Sequence, residues 1–149
     1  MDRKGQGVKT LNRLSVSARM RAEAERVFDL LTDVESRVGQ VAAYKKVEVM
    51  DRSPDGFIAR FHEHYGGRDV VILSRFRFQR PRWITYEHIE GPYGTNRGRY
   101  EIVSSGDETL VTQTHETEQD ITEGSPLREQ WTSMIQEKLE AVRKDAEGA

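Results

Sequence analysis

The chain has 149 residues, of which 36% are hydrophobic and 32% charged, a profile typical of one soluble globular domain. Its 23 basic and 25 acidic residues nearly cancel, so the overall charge gives no reason to expect binding to nucleic acid or to a membrane surface. The absence of cysteine excludes disulfides, thiolate nucleophiles and cysteine metal ligands. We expect a cytoplasmic protein without membrane insertion, because the N-terminus lacks the apolar core of a secretory signal and the longest apolar run, VVIL, is too short to span a bilayer.

The first part of the chain predicts one strand followed by helix. Apolar and polar side chains alternate over residues 11–20, which is typical of a strand. Over residues 21–36 the apolar side chains recur at the spacing of one helical face. A second short helix can begin at Asp33, which is a suitable N-cap residue.

From about residue 43 the apolar pattern has a period of two, and turn sequences such as SPDG and GPYG interrupt it. This pattern predicts an antiparallel meander of six strands. Residues 125–144 then predict a long amphipathic helix, with Ser125 as its cap and Pro126 at its first position. We expect residues 1–10 and 145–149 to fray.

The sheet and the last helix can bury their apolar faces together if a curved sheet wraps around the helix, and such packing often leaves a ligand cavity. The order of elements, together with the segments AERVFDLLTDVES, KKVEVMDRSPDGF, RWITYEHIEG and SGDETLV, resembles the START-like helix-grip (SRPBCC) superfamily, most closely its polyketide cyclase/dehydrase and lipid-transport branch. The resemblance covers about residues 12–144. It implies an α+β helix-grip fold in a single domain over residues 1–149, with a curved antiparallel sheet of about seven strands around a long C-terminal helix and two short helices after the first strand.

One departure from the resemblance concerns the segment after TDVES. Many relatives carry a Trp-Pro pair there, whereas this chain has RVGQ. We therefore expect a different entrance to the cavity.

Strand parity predicts which side chains face the cavity. The odd positions of residues 57–65 carry the apolar side chains, so Glu63 points inward while His62 and His64 point to solvent. The two histidines could ligate one metal only on an inward face, so we do not expect a metal site there. A buried Glu63 needs a partner or a proton.

The parity of the later strands is less uniform. It is clear for residues 70–78 and 97–103. For residues 109–117 we favour the less charged inward set, which contains Gln113 and His115. For residues 83–90 the resemblance favours the set that contains Tyr86 and His88. Which of the two histidines faces the cavity is left open.

The predicted cavity is apolar and carries a small polar set, and the last helix closes it with Trp131 and Ile135. The polar lining residues are predicted to be Tyr44, Glu63, Ser74, Tyr86, His88, Tyr100, Gln113 and His115. The place of Tyr44 is implied by the resemblance alone. This lining suits a flat, oxygenated, largely apolar ligand.

Three functions fit such a cavity. An enzyme would catalyse aldol cyclisation or dehydration of a polyketide-like substrate, with His88 or His115 as the base and Tyr86 or Tyr44 polarising the carbonyl. A carrier of a lipid or quinone would need only shape and a few anchoring groups. An interaction module would use the outward arginines instead. These arginines and the phenylalanines of SRFRFQRPRW lie on opposite faces, so we do not expect a nucleic-acid surface.

No cofactor is expected, and YGGRD lacks the strand, glycine-loop and helix context of a phosphate-binding loop. The chain also has no nucleophile elbow of the G-x-S-x-G kind. The expected partner is a small hydrophobic or polyketide-like molecule. Whether the protein forms a homodimer is left open.

Overall fold

The computed structural model describes residues 10–148, apart from one side chain at position 65. Within this range the chain forms seven strands, two α-helices and one short 3-10 helix. The strands are β1 (Asn12–Met20), β2 (Tyr44–Ser53), β3 (Gly56–Tyr65), β4 (Arg68–Gln79), β5 (Trp83–Glu90), β6 (Asn96–Ser105) and β7 (Glu108–Thr117). The helices are α1 (Ala24–Thr32), the 3-10 helix (Val34–Arg37) and α2 (Pro126–Gly148).

The seven strands form one antiparallel sheet in the order β1-β7-β6-β5-β4-β3-β2. Strands β2 to β7 are a meander in which each strand pairs with its neighbour in sequence, as predicted. The first strand, β1, pairs with β7 at the edge of the sheet opposite β2, where Leu14 lies opposite His115 and Val16 opposite Gln113. The sheet and α2 together confirm the predicted helix-grip fold.

The core lies between the inner face of the sheet and α2. Along α2 the buried side chains Trp131, Ile135, Leu139 and Val142 recur every three or four residues, so one stripe of the helix faces the sheet. Burying an aliphatic side chain of this size stabilises the fold by about 1.5–3 kcal/mol. This stripe therefore holds the helix against the sheet.

Two short helices follow β1, as predicted, but their boundaries differ. The first helix begins at Ala24 rather than at residue 21, and it ends where the backbone of Asp33 leaves the helical conformation. The Asp33 side chain does not cap the next helix, because its Oδ2 accepts a hydrogen bond from the Ser36 hydroxyl at 2.6 Å instead of from a backbone N–H.

The last helix is longer than predicted. Its start is capped by Ser125, whose Oγ accepts a hydrogen bond from the backbone N–H of Arg128 at 3.2 Å. Its end reaches Gly148, and Ala146 is buried, so residues 145–148 continue the helix instead of fraying. Arg26 fixes this last turn by donating hydrogen bonds to the carbonyls of Asp145 and Ala146. The predicted fraying at residues 1–9 and at residue 149 falls outside the described residues.

The predicted parity of the strands is confirmed, including both ambiguous cases. In β7 the side chains of Gln113 and His115 are buried, and in β5 Tyr86 is buried with His88 half-buried on the same side. Both predicted histidines therefore face inward.

The pair His62 and His64 lies on the outer face of β3, as predicted. His62 Nε2 is 2.8 Å from Glu48 Oε1, and His64 Nδ1 is 2.6 Å from Asp69 Oδ1, so each ring is held by its own carboxylate. Over residues 10–148 no group of three or more His, Asp or Glu side chains is placed to hold a metal ion.

Candidate ligand-binding cavity

A cavity lies between the sheet and α2. Its volume is about 90 Å³. That volume corresponds to roughly six to nine water molecules at about 10–15 Å³ each, so the cavity holds a compact ligand. A larger ligand requires the lining side chains to move. All the side chains predicted from the sequence line it, namely Tyr44, Glu63, Ser74, Tyr86, His88, Tyr100, Gln113, His115, Trp131 and Ile135.

A chain of hydrogen bonds crosses the end of the cavity near Trp131. The amide nitrogen of Asn96 donates to the carbonyl of Tyr93 at 3.0 Å, so its Oδ1 is the acceptor that faces His115 Nε2 at 2.9 Å. We infer that Nε2 carries the proton of His115 and that Nδ1 accepts from the Tyr86 hydroxyl at 2.7 Å. Gln113 Nε2 completes the chain by donating to the Tyr86 oxygen at 2.8 Å.

Gly98 makes this chain of hydrogen bonds possible. It lies on β6 directly between Tyr86 of β5 and His115 of β7. A Cβ atom at this position would lie 2.2 Å from Cζ and Oη of Tyr86, far inside contact distance. The missing side chain therefore lets two residues bond across the strand that separates them.

Burial keeps both cavity histidines neutral. It lowers the pKa of His88 to about 4 and that of His115 to about 3, the latter with further contributions from His88 and Lys138. His115 is already engaged with Tyr86 and Asn96. His88 makes no hydrogen bond to any residue in the described range, and its ring centroid lies 6.0 Å from that of His115. The imidazole of His88 is therefore the one available to a ligand.

A carboxyl group and an ammonium group line the cavity close enough to interact electrostatically. Glu63 is 7% exposed, and its Oε1 has no hydrogen-bond partner among residues 10–148. Burial raises the pKa of Glu63 to about 7, although attraction to Lys138 acts against this rise. Burial likewise lowers the pKa of Lys138 to about 7, and its Nζ donates a hydrogen bond to the Tyr100 hydroxyl. Near neutral pH this part of the cavity can accept or release a proton.

The sequence of this cavity-forming domain matches a known family. Residues 20–141 match the profile of the family described as polyketide cyclase/dehydrase and lipid transport. The chain belongs to this family. A search among curated protein sequences gives no match.

Solved structures share the fold of this family member. The Zhui aromatase/cyclase from Streptomyces sp. R1128 is 21% identical with a TM-score of 0.75, covering 92% of this chain and 94% of that one. A protein from Thermus thermophilus is 22% identical with a TM-score of 0.71, covering 89% and 92%. A START superfamily protein from Mycobacterium smegmatis is 18% identical with a TM-score of 0.70, covering 87% and 92%. At these identities the likeness shows the START-like fold alone.

The helices of the structure were compared with what a membrane span requires. Across residues 10–148 of this family member, neither helix combines the length and the apolar character that a membrane span requires.

Several polar atoms that line the cavity have no hydrogen-bond partner in the described part of the chain. They include the donor Nε1 of Trp131 and the acceptor Oε1 of Gln113. The Trp131 ring packs edge-on against His115, with centroids 5.5 Å apart. Tyr44 packs against Phe61 at 5.3 Å, and burial raises the pKa of its hydroxyl, which stays protonated. A ligand with both donors and acceptors would satisfy these groups.

Sequence reasoning missed four polar residues of the lining, namely Arg37, Tyr93, Asn96 and Lys138. Asn96 shares the parity of Tyr100 on β6, and Lys138 lies three residues after Ile135 on the buried stripe of α2, so spacing alone could have found both. Arg37 is the first residue of RVGQ, where the resemblance led us to expect a different entrance. No pattern in the sequence indicates that its charge is buried.

Proposed function

We propose that this protein binds a small, largely apolar carbonyl compound in the cavity and catalyses its aldol cyclisation or dehydration, as on a polyketide-like substrate. The observation that carries this proposal is Glu63, a buried carboxyl group with an unpartnered oxygen on the wall of an apolar cavity. The membership of the polyketide cyclase/dehydrase family supports the same class of substrate.

The proposed reaction begins with proton abstraction. Ionised Glu63 removes a proton from a carbon next to a carbonyl, and the electron pair moves onto the carbonyl oxygen to give an enolate. The Tyr100 hydroxyl and the Lys138 ammonium donate hydrogen bonds that stabilise the negative oxygen. The enolate carbon then attacks a second carbonyl of the same molecule, and the resulting alkoxide takes a proton from Lys138. In the dehydration, neutral Lys138 removes the remaining α proton, and Glu63, protonated in the first step, gives its proton to the hydroxyl, which leaves as water. Both groups then return to their starting protonation states.

The sequence-predicted catalytic residues receive different roles in this proposal. His88 is a second base, although a pKa of about 4 makes it a weaker one than Glu63. Tyr86 and His115 already bond to each other, so they position the ring of the substrate rather than transfer its proton.

The proposal is tested with a bicyclic ketone, 1-tetralone, in D₂O. The protein should accelerate deuterium incorporation at the carbon next to the carbonyl, as followed by NMR. Glu63→Gln should reduce the rate by about 10²-fold or more, the usual contribution of a general base. The matched control Glu101→Gln alters a carboxylate on the outer face of the sheet and should leave the rate unchanged. If His88→Gln removes the activity while Glu63→Gln retains it, the base has been assigned wrongly.

A carrier without catalysis is the second candidate. The observation that favours it is the chain of hydrogen bonds from Gln113 to Asn96, which already engages the Tyr86 hydroxyl and both ring nitrogens of His115. A carrier would bind 1-tetralone in a one-to-one ratio, detectable by native mass spectrometry, without accelerating its deuterium exchange.

A further inference from the structure

We infer that the cavity seats an acidic group of its ligand, a carboxylate or an anion of similar shape, on the guanidinium of Arg37. This inference rests on the proposed binding function and adds the chemical class of one end of the ligand.

Arg37 is a buried cation at one end of the cavity. It is the last residue of the 3-10 helix Val34–Arg37, and its side chain is only 3% exposed. It lines the cavity together with the apolar side chains of Leu31, Val34 and Val142. A cation in apolar surroundings is strongly destabilising unless an anion or several acceptors compensate it.

The protein compensates Arg37 only in part. Its Nη2 lies 3.1 Å from Asp145 Oδ2, but no nitrogen of the guanidinium forms an aligned hydrogen bond with an acceptor in the described residues. Asp145 is itself 37% exposed and also accepts a hydrogen bond from Gln40. A guanidinium has five N–H donors in a planar fork that matches the two oxygens of a carboxylate. Arg37 therefore keeps donors for a ligand.

The position of Arg37 gives the ligand a direction. The lining residues Trp131 and Val142 lie roughly 16 Å apart along α2, at about 1.5 Å per residue. The hydrogen-bonded Tyr86–His115 pair lies at the Trp131 end, and Arg37, through Asp145, lies near the Val142 end. Lys138 and Glu63 are the other charged groups of the lining, and Lys138 lies between Trp131 and Val142 along α2. A ligand that fits both ends has its acidic group apart from its oxygenated ring.

The experiment compares two probes of equal shape, 2-naphthoate and its uncharged amide, 2-naphthamide. Dissociation constants are measured by calorimetry for the wild type and for Arg37→Gln. The wild type should bind naphthoate more tightly than the amide. Arg37→Gln should weaken naphthoate binding at least about tenfold, as expected for loss of hydrogen bonds to a charged group, and should leave amide binding within twofold. The control Arg77→Gln, at an exposed position on the outer face of the sheet, should change neither constant.

Two further variants separate ligand binding from a structural role. Asp145→Asn removes the anion beside Arg37 but keeps the guanidinium, so naphthoate binding should stay or improve. If Asp145→Asn and Arg37→Gln weaken both probes equally, Arg37 is a structural ion-pair partner and the inference is wrong. Arg37→Lys keeps the charge and should retain part of the naphthoate preference, even if Arg37→Gln fails to fold.

The remaining outcomes distinguish this inference from the proposed function. If the wild type binds the amide but shows no preference for naphthoate, the acidic group does not lie on Arg37. The same holds if that preference is lost only in Lys138→Met. In both cases only this inference is wrong. If neither probe binds the wild type, the proposed cavity function falls and the inference falls with it.

Discussion

Gly98 controls whether Tyr86 and His115 can meet, because any side chain on β6 at this position would occupy the space of the Tyr86 phenol. The same hydrogen bond depends on Asn96, which fixes the proton of His115 on Nε2. A glycine and an amide, neither of which contributes a reacting group, thus set the hydrogen bonding of the cavity end. A single methyl group added at Gly98 should therefore disturb this hydrogen bonding.

Gly98→Ala should destabilise the protein by about 1–3 kcal/mol, the usual effect of overpacking, because Tyr86 must move away and lose its bond to His115. Urea unfolding measures the change. Gly91→Ala is the matched control, since a Cβ there would meet Ile72 at an ordinary 3.5 Å, and its effect should stay below about 0.5 kcal/mol. Equal effects of the two variants would contradict the assigned role of Gly98.

Glu63 gives stability a specific dependence on pH. Its pKa is raised to about 7 in the folded protein from an ordinary 4.5, so the folded state binds more protons than the unfolded state between these values. The contribution of Glu63 to stability is therefore most favourable below about pH 4.5 and is lost as the pH rises through 7. The free energy of unfolding of Glu63→Gln should equal that of the wild type near pH 4.5. At pH 8 it should exceed the wild-type value by up to about 3 kcal/mol, at about 1.4 kcal/mol per pKa unit.

This prediction is checked by urea unfolding at both pH values. The exposed control Glu101→Gln should differ from the wild type by less than about 0.5 kcal/mol at each pH. A difference between Glu63→Gln and the wild type that does not change with pH would show that Glu63 is not buried as a carboxylic acid.

Single residues also show where sequence reasoning works. Period-two alternation placed Glu63 on the inner face correctly, since a strand has only two faces and one face of β3 is clearly apolar. Gln113 was placed inward, also correctly, because its set carries less charge. Sequence reasoning missed Arg37 and Lys138 because a charged side chain is by default assigned to solvent. Spacing on α2 could have placed Lys138 inward, but the burial of Arg37 depends on a cavity that forms only when distant elements assemble.

At the level of elements, α2 joins the cavity to the rest of the fold. Its stripe of buried side chains closes the cavity, and its last turn is held by Arg26 and approached by Arg37. The sequence pattern located the start of this helix through Ser125 and Pro126, which are local signals. The end was placed too early, because DAEGA looks polar and its hydrogen bonds come from α1, more than a hundred residues earlier in the chain.

A chain that ends at Lys144 should therefore be less stable by at least about 2 kcal/mol, because it loses the carbonyl acceptors of Arg26 and leaves Arg37 without Asp145. Thermal and urea unfolding measure the loss. A chain that lacks only Ala149 serves as the control. If both shortened chains match the wild type, the last turn contributes nothing to stability.

At the level of the whole molecule, the cavity ties stability to ligand binding. A ligand that binds only the folded state at 100 times its dissociation constant stabilises the protein by about 2.7 kcal/mol. We predict that saturating 1-tetralone raises the melting temperature of the wild type in this way. The variant Ser74→Leu places a larger side chain in the cavity and should lose the shift. Ser17→Leu, on the outer face of β1, should keep it.

The edge pairing of β1 has a consequence for synthesis on the ribosome. Asn12 pairs with Thr117, so β1 leaves the ribosome about a hundred residues, or roughly 5 to 20 seconds, before its partner strand exists. Until then Leu14 and Met20 have no sheet to cover them. Pulse-labelling hydrogen exchange during refolding should therefore show β1 protected last. Protection of β1 before β7 would contradict this order.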